Sequence, residues 1–168
     1  MAAQKCNYII FSNCNQNISN KIALKMYNQK LTYNPNPTFL GITFEKKLTF
    51  QKHVDKLRKK CTNRLNCIKI ISNKTWNLTS KTLRSIYASL IRSVIDYSSF
   101  ILTRLSKKRK KQLQAIQNAA IRAIFKLRYD TPSKKLNKIA QLTSVEERMS
   151  DLNEAYALSA ILNENPLF

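Results

Sequence analysis

Residues 49–68 read TFQKHVDKLRKKCTNRLNCI. Within them Phe50, Val54, Leu57, Cys61, Leu65 and Ile68 fall four, three, four, four and three positions apart, an apolar stripe at helical period. Thr49 suits an N-cap, because its hydroxyl can accept a bond from an otherwise unpaired amide of the first turn. Lys52, Lys56, Lys59 and Lys60 lie on the opposite face, roughly 180–280° from Phe50 around the helix axis. The spacing predicts an amphipathic helix with one apolar and one basic side.

The chain before this stretch has a different period. Asn7-Tyr8-Ile9-Ile10-Phe11 is a short apolar run closed by a Ser/Asn cluster, and reads as a strand. Ile22, Leu24 and Met26 alternate with Lys and Ala, the pattern of a half-buried strand. Asn34-Pro35-Asn36-Pro37 is a loop, and Thr38–Phe44 is a third strand candidate holding the chain's one glycine, Gly41. A glycine inside a strand predicts a bulge or a close backbone approach.

Beyond residue 68 the helical period continues. A second helix is predicted from Thr79 through Leu83, Ile86, Tyr87, Leu90, Ile91 and Val94, with an apolar arc wide enough to make it the most buried. A third starts near Ser106 and carries Leu113, Ile116, Ala120, Ala123, Ile124 and Leu127. Thr131-Pro132 restarts a short helix, since proline is tolerated at the first helical position. Ser144-Val145-Glu146-Glu147 is a capping box that opens a last helix, running to about Asn163. The expected fold is α+β and mainly α: short strands in residues 1–44, then a basic bundle of four to five helices in residues 45–168.

Composition agrees and narrows the function. The 168 residues carry 30 Lys or Arg against 9 Asp or Glu, a net charge of +21, with 43% hydrophobic residues available for a core. One Gly and four Pro exclude most all-β designs, which need frequent turn residues. No apolar run reaches the ~18 residues of an ordinary membrane span. The first residues lack a secretory cleavage pattern, so an intracellular protein, nuclear or cytoplasmic and not secreted, is expected.

Lys (21), Asn (17) and Ile (17) are all encoded by A/T-rich codons, which accounts for Lys over Arg but not for so few acids. The charge is also uneven. Residues 144–168 hold one basic and five acidic side chains, a balance of −4, which leaves 29 basic and 4 acidic groups, or +25, on the other 143. Such a field attracts polyanions, with nucleic acid ahead of an anionic membrane.

The inventory for chemistry is thin. Cys6, Cys14, Cys61 and Cys67 form no Cys-x-x-Cys pair and are read as free thiols; with His53 the lone imidazole, no metal site has its usual spacing. His53 is read as a packed or surface histidine. The sequons at Asn17, Asn73 and Asn77 are chance matches in an Asn-rich chain. No paired aspartates could hold two Mg²⁺ ions, and one glycine cannot build a phosphate-cradling loop. No residue is assigned a catalytic role, and no small-molecule substrate or oligomeric state is evident.

The sharpest feature is Lys107-Lys108-Arg109-Lys110-Lys111. Five cations at a helix start oppose the macrodipole, which favours negative charge there. Phosphate contact, nuclear import and a solvated charged turn all remain open for it. With Lys52, Lys56, Lys59 and Lys60, these residues are the candidate nucleic-acid contacts.

Several segments, in order, resemble the region after the catalytic palm in jockey-type non-LTR retrotransposon reverse transcriptases. Lys5–Ser12 resembles the strand after the family's catalytic hairpin. Phe39-Leu40-Gly41-Ile42, Leu48-Thr49-Phe50 and His53-Val54 resemble its passage from palm to thumb. Tyr87 with Leu90-Ile91-Arg92-Ser93-Val94-Ile95-Asp96-Tyr97 is similar to its LIRPVLEY segment, with Ser93 for Pro, Asp96 for Glu and Ser98 for Gly after it. Leu113, Ile116-Gln117-Asn118 and Ala120-Ile121-Arg122 resemble its LxxIQNxALR helix. The family's paired-aspartate hairpin would lie just upstream of Lys5.

The resemblance implies a palm edge plus thumb, a truncated piece of an RNA-directed DNA polymerase whose intact enzyme uses Mg²⁺; no cofactor is expected for this chain alone. A thumb of this kind grips an RNA/DNA duplex or hybrid through its backbone. Two other expectations stand beside it: a decayed reading frame without function, and a nucleic-acid-binding protein with a new host role.

Overall fold

Strands do give way to helices just after Thr49. The computed structural model describes residues 6–13, 22–103 and 105–163, so Lys5, Cys14 and Asn17 lie outside the described residues. The chain divides into two compact units, Met1–Asp55 and Lys56–Phe168.

Among its described residues the first unit holds six two-residue strands: β1 (Asn7–Tyr8), β2 (Lys25–Met26), β3 (Gln29–Lys30), β4 (Thr32–Tyr33), β5 (Thr38–Phe39) and β6 (Ile42–Thr43). They pair as β1 with β4 in parallel, and β2–β3 and β5–β6 antiparallel. The single strand expected over Thr38–Phe44 is therefore a hairpin. Leu40 (φ 46°) and Gly41 (φ 79°) both take positive φ, as a tight two-residue hairpin turn requires. Gly41 serves that turn, not a bulge. Tyr27 (φ 50°) and Asn28 (φ 60°) make the same reversal between β2 and β3. Ile22 and Leu24 are exposed, so the alternation around Met26 buries no continuous face.

Aromatic side chains fill much of this unit. Tyr8 stands 5.5 Å from Tyr33, and Phe44 lies 6.1 Å from Phe11 and 6.0 Å from Phe50, ring centre to ring centre. His53 is buried, and its Nδ1 accepts the Thr43 N–H at 3.4 Å.

Helix α1 (Gln51–Ile71) starts in a way the Thr49 expectation missed. Phe50, at φ 53°, precedes the first turn, and the Glu45 carboxylate caps it by accepting the Lys52 N–H at 2.6 Å. The Thr49 hydroxyl donates to the same carboxylate at 3.0 Å. An acid outcompetes a hydroxyl here because it favours the positive helix end. Leu57, Cys61, Leu65 and Ile68 of the stripe are buried.

In the second unit α2 (Ser80–Tyr87) is capped by Thr79, whose Oγ1 accepts the Thr82 N–H at 3.2 Å. It runs through a π-helical turn, Ala88–Arg92, into α3 (Ser93–Tyr97). The buried apolar residues are Leu83, Tyr87, Ile91 and Ile95, four apart, while Ile86, Leu90 and Val94 are half-buried. Four residues of ideal α-helix overshoot one turn by ~40°, so a strict spacing of four needs a wider turn, and the π turn supplies it.

The short α4 (Ser99–Leu102) precedes α5 (Lys107–Phe125), α6 (Ser133–Ala140) and α7 (Val145–Leu162). Helix α5 packs against α2, α6 and α7. Its stripe is buried at Leu113, Ile116, Ala120 and Ile124, joined by Gln117 and Ile121. Leu127 lies past the helix end and packs, half-buried, on a cluster of Ile121, Leu136 and Ala140. Pro132 occupies the N-cap of α6, one position earlier than expected.

The capping box of α7 is formed as read. Glu147 N–H donates to Ser144 Oγ at 3.2 Å, and Ser144 N–H donates to Glu147 Oε2 at 2.8 Å. Replacing Ser144 with Ala is expected to lower the unfolding free energy by about 1 kcal/mol in urea denaturation. The Ser144 backbone and hydroxyl also hold the Glu147 carboxyl below its usual 4.5. A depressed folded value gives stability that is complete above the unfolded value and is lost as pH falls through the folded one. The loss should begin below pH 4.5, and part of it should disappear in Ser144→Ala.

Candidate nucleic-acid interface

A buried polar hub sets the position of the basic helix start. Gln117, fully buried at the middle of α5, accepts at Oε1 from the Tyr87 hydroxyl (2.9 Å) and Arg92 Nη1 (3.0 Å). Its Nε2 donates to the Thr143 carbonyl (2.9 Å) and to Asn137 Oδ1 (3.1 Å). Arg92, carried inward by the π turn, also donates from Nη2 to Thr143 Oγ1 at 2.8 Å. Its Nε lies 3.8 Å from Asp96, which in turn accepts from Arg148 at 3.2 Å. Burial pushes the Tyr87 hydroxyl well above the usual phenol value, so it stays a donor.

The hub joins residues of two quoted segments, Leu90–Tyr97 and Ile116–Asn118. These motif positions hold α2, α3, α5 and α6 in register with the loop before α7. Arg92 of the first segment and Gln117 of the second touch each other in the interior.

The first turns of α5 are fixed from α7 as well. Gln114 Oε1 accepts the Val145 N–H at 2.8 Å, and Lys110 Nζ pairs with Glu146 Oε1 at 2.8 Å. That bond and the Lys110 charge hold Glu146 below its usual carboxylate value. Helix α5 itself begins with no acid in its first turn and no side-chain cap from Ser106. Glu146 of α7 offsets one of the five cations of this helix start, Lys110.

Lys107, Lys108 and Lys111 are exposed, whereas Arg109 and Lys110 are half-buried. Lys52, Lys56, Lys59 and Lys60 are all exposed on α1. A cleft of about 380 Å³ gathers Lys107, Lys110 and Lys111 together with Lys134 of α6, Glu146 and Glu147. Lys108, Arg109 and the α1 lysines do not line it. Lys134 escaped the sequence reading, although Lys134-Lys135, two residues after Pro132, was a visible basic pair. Among the described residues no group of three His, Cys, Asp or Glu could hold a metal ion, and no helix is long and apolar enough to cross a membrane.

The chain is similar to a probable RNA-directed DNA polymerase from transposon BS of Drosophila melanogaster. The two are 28% identical over 119 residues, 71% of this chain and 13% of the relative. The match supports a relationship to reverse transcriptases. The chain thus corresponds to a small part of the curated relative's length. No family model matches the chain, and no solved structure matches it.

Proposed function

We propose that this chain is a thumb-like region of a jockey-type non-LTR retrotransposon reverse transcriptase, and that its basic surface grips the backbone of a primer–template duplex without reading base sequence. The similarity to a transposon RNA-directed DNA polymerase carries the reading. The charge supports it: a net +21 provides the attraction, and exposed lysines on α1 and α5 provide positioning contacts to phosphate. Lysine is a flexible point charge and carries little base information, so contact through it is expected to be indifferent to sequence. The helical part, residues 45–168, is where this role resides. Binding to the strand backbone is the activity proposed.

A gel-shift assay with an RNA–DNA hybrid and its scrambled-sequence counterpart tests this. The full chain should retard both equally at low salt. Absence of a complex at 50 mM salt, from protein that is folded by circular dichroism, overturns the proposal.

A further inference from the structure

Helices α5 and α6 meet at the cleft described above, and they are locked together there. Asn118 Oδ1 accepts from Gln114 Nε2 at 2.8 Å within α5 and from Ser133 Oγ of α6 at 3.2 Å. Asn137 accepts from Gln117 Nε2 across the same junction at 3.1 Å. The lysines on the rim are thus mounted on a fixed scaffold.

Four ammonium groups and two carboxylates line this cleft, a balance of +2. Both acids are already engaged. Glu146 pairs with Lys110 at 2.8 Å, and Glu147 accepts the Ser144 N–H at 2.8 Å. Among the described residues no salt bridge holds Lys107, Lys111 or Lys134, although the Lys107 charge also acts on Glu146 without forming one. Lys107 and Lys111 share one face of α5, one turn apart, and Lys134 faces them from α6 across the cleft. Like charges gathered on a fixed frame repel, and an anion from outside relieves that repulsion.

We infer that Lys134 joins Lys107 and Lys111 to hold one phosphodiester group of a bound strand in the cleft between α5 and α6. This rests on the nucleic-acid reading above and adds to it a contact residue from α6 that the basic run alone does not include. A phosphodiester, with its single negative charge, is the anion a nucleic-acid strand presents, and it lowers the +2 balance of the cleft to +1. The strand therefore runs past the Lys107–Lys111–Lys134 side.

The test uses the full chain and a 16-base-pair RNA–DNA hybrid, followed by fluorescence anisotropy over a series of salt concentrations. Lys134→Gln should flatten the log–log salt slope by up to about 0.7–0.9, the release expected for one whole phosphate contact, since Lys107 and Lys111 remain beside it. Lys134→Arg should restore it. Lys135→Gln, on the same helix but away from the cleft, should change the slope by less than half as much. If the wild type binds the hybrid and Lys134→Gln matches Lys135→Gln, the inference is overturned while the nucleic-acid reading stands. If the wild type does not bind the hybrid at all, both fall. Lys134 is exposed, so circular dichroism should show the variants folded like the wild type.

Discussion

Gln117→Leu is expected to lower the unfolding free energy by about 2–4 kcal/mol, the largest stability effect of any single change considered. Leucine has a similar volume, so the loss comes from polar groups rather than a cavity. The Tyr87 hydroxyl and Arg92 Nη1 lose their shared acceptor, and the Thr143 carbonyl and Asn137 Oδ1 lose a donor. Each buried group left unsatisfied costs about 1–3 kcal/mol. Arg92 keeps its bonds to Thr143, which limits the total, and burial of the leucine returns about 1–2 kcal/mol. Tyr87→Phe removes one donor and leaves the Gln117–Arg92 pair in place, so about 1 kcal/mol is expected there. Urea denaturation followed by circular dichroism distinguishes the two. A Gln117→Leu cost below 1 kcal/mol would mean that the hub adds little to stability.

This hub marks the boundary of what the sequence makes legible. The stripe through Leu57, Cys61, Leu65 and Ile68 is readable because helical burial depends on spacing within a few turns. The Ser144–Glu147 box is readable for the same reason, as both partners lie three residues apart. Gln117 sits on an apolar stripe, which is visible, but its partners are not: Arg92 lies 25 residues away and the Thr143 carbonyl 26. Periodicity carries no information at that range.

The hairpin at Thr38–Thr43 was hidden for a different reason. Its turn uses Leu40 at positive φ, a residue that reads as the interior of an apolar strand and takes that conformation at a cost. Within the candidate site, the Lys107–Lys111 run was plain in the sequence, but the commitment of Lys110 to Glu146 was not, because 36 residues separate them. Lys134 was hidden likewise, since only the packing of α6 on α5 brings it to the same cleft.

Affinity for a duplex is expected to fall steeply as salt rises. Each neutralised phosphate contributes about −0.9 to the log–log slope on B-DNA, so roughly four to eight contacts among the nine candidate side chains give a slope of about −4 to −7. At a slope near −5, raising salt from about 50 to 200 mM costs roughly a thousandfold in affinity. The candidates are not equivalent. Lys110 already spends its charge on Glu146, so Lys110→Gln exposes an uncompensated carboxylate and gains the strand no contact site. Lys107, Lys108 and Lys111 are the exposed members of the run. Changing these three to Gln should flatten the slope by about 1–2 units, because Lys107 and Lys111 share one phosphate, and should weaken all base sequences alike, because lysine positions the strand and does not read it. A slope unchanged in that triple variant would reduce the run to a solvated turn. The phosphate contacts would then have to come from Lys52, Lys56, Lys59 and Lys60, and the corresponding Gln variant on α1 would have to flatten the slope instead.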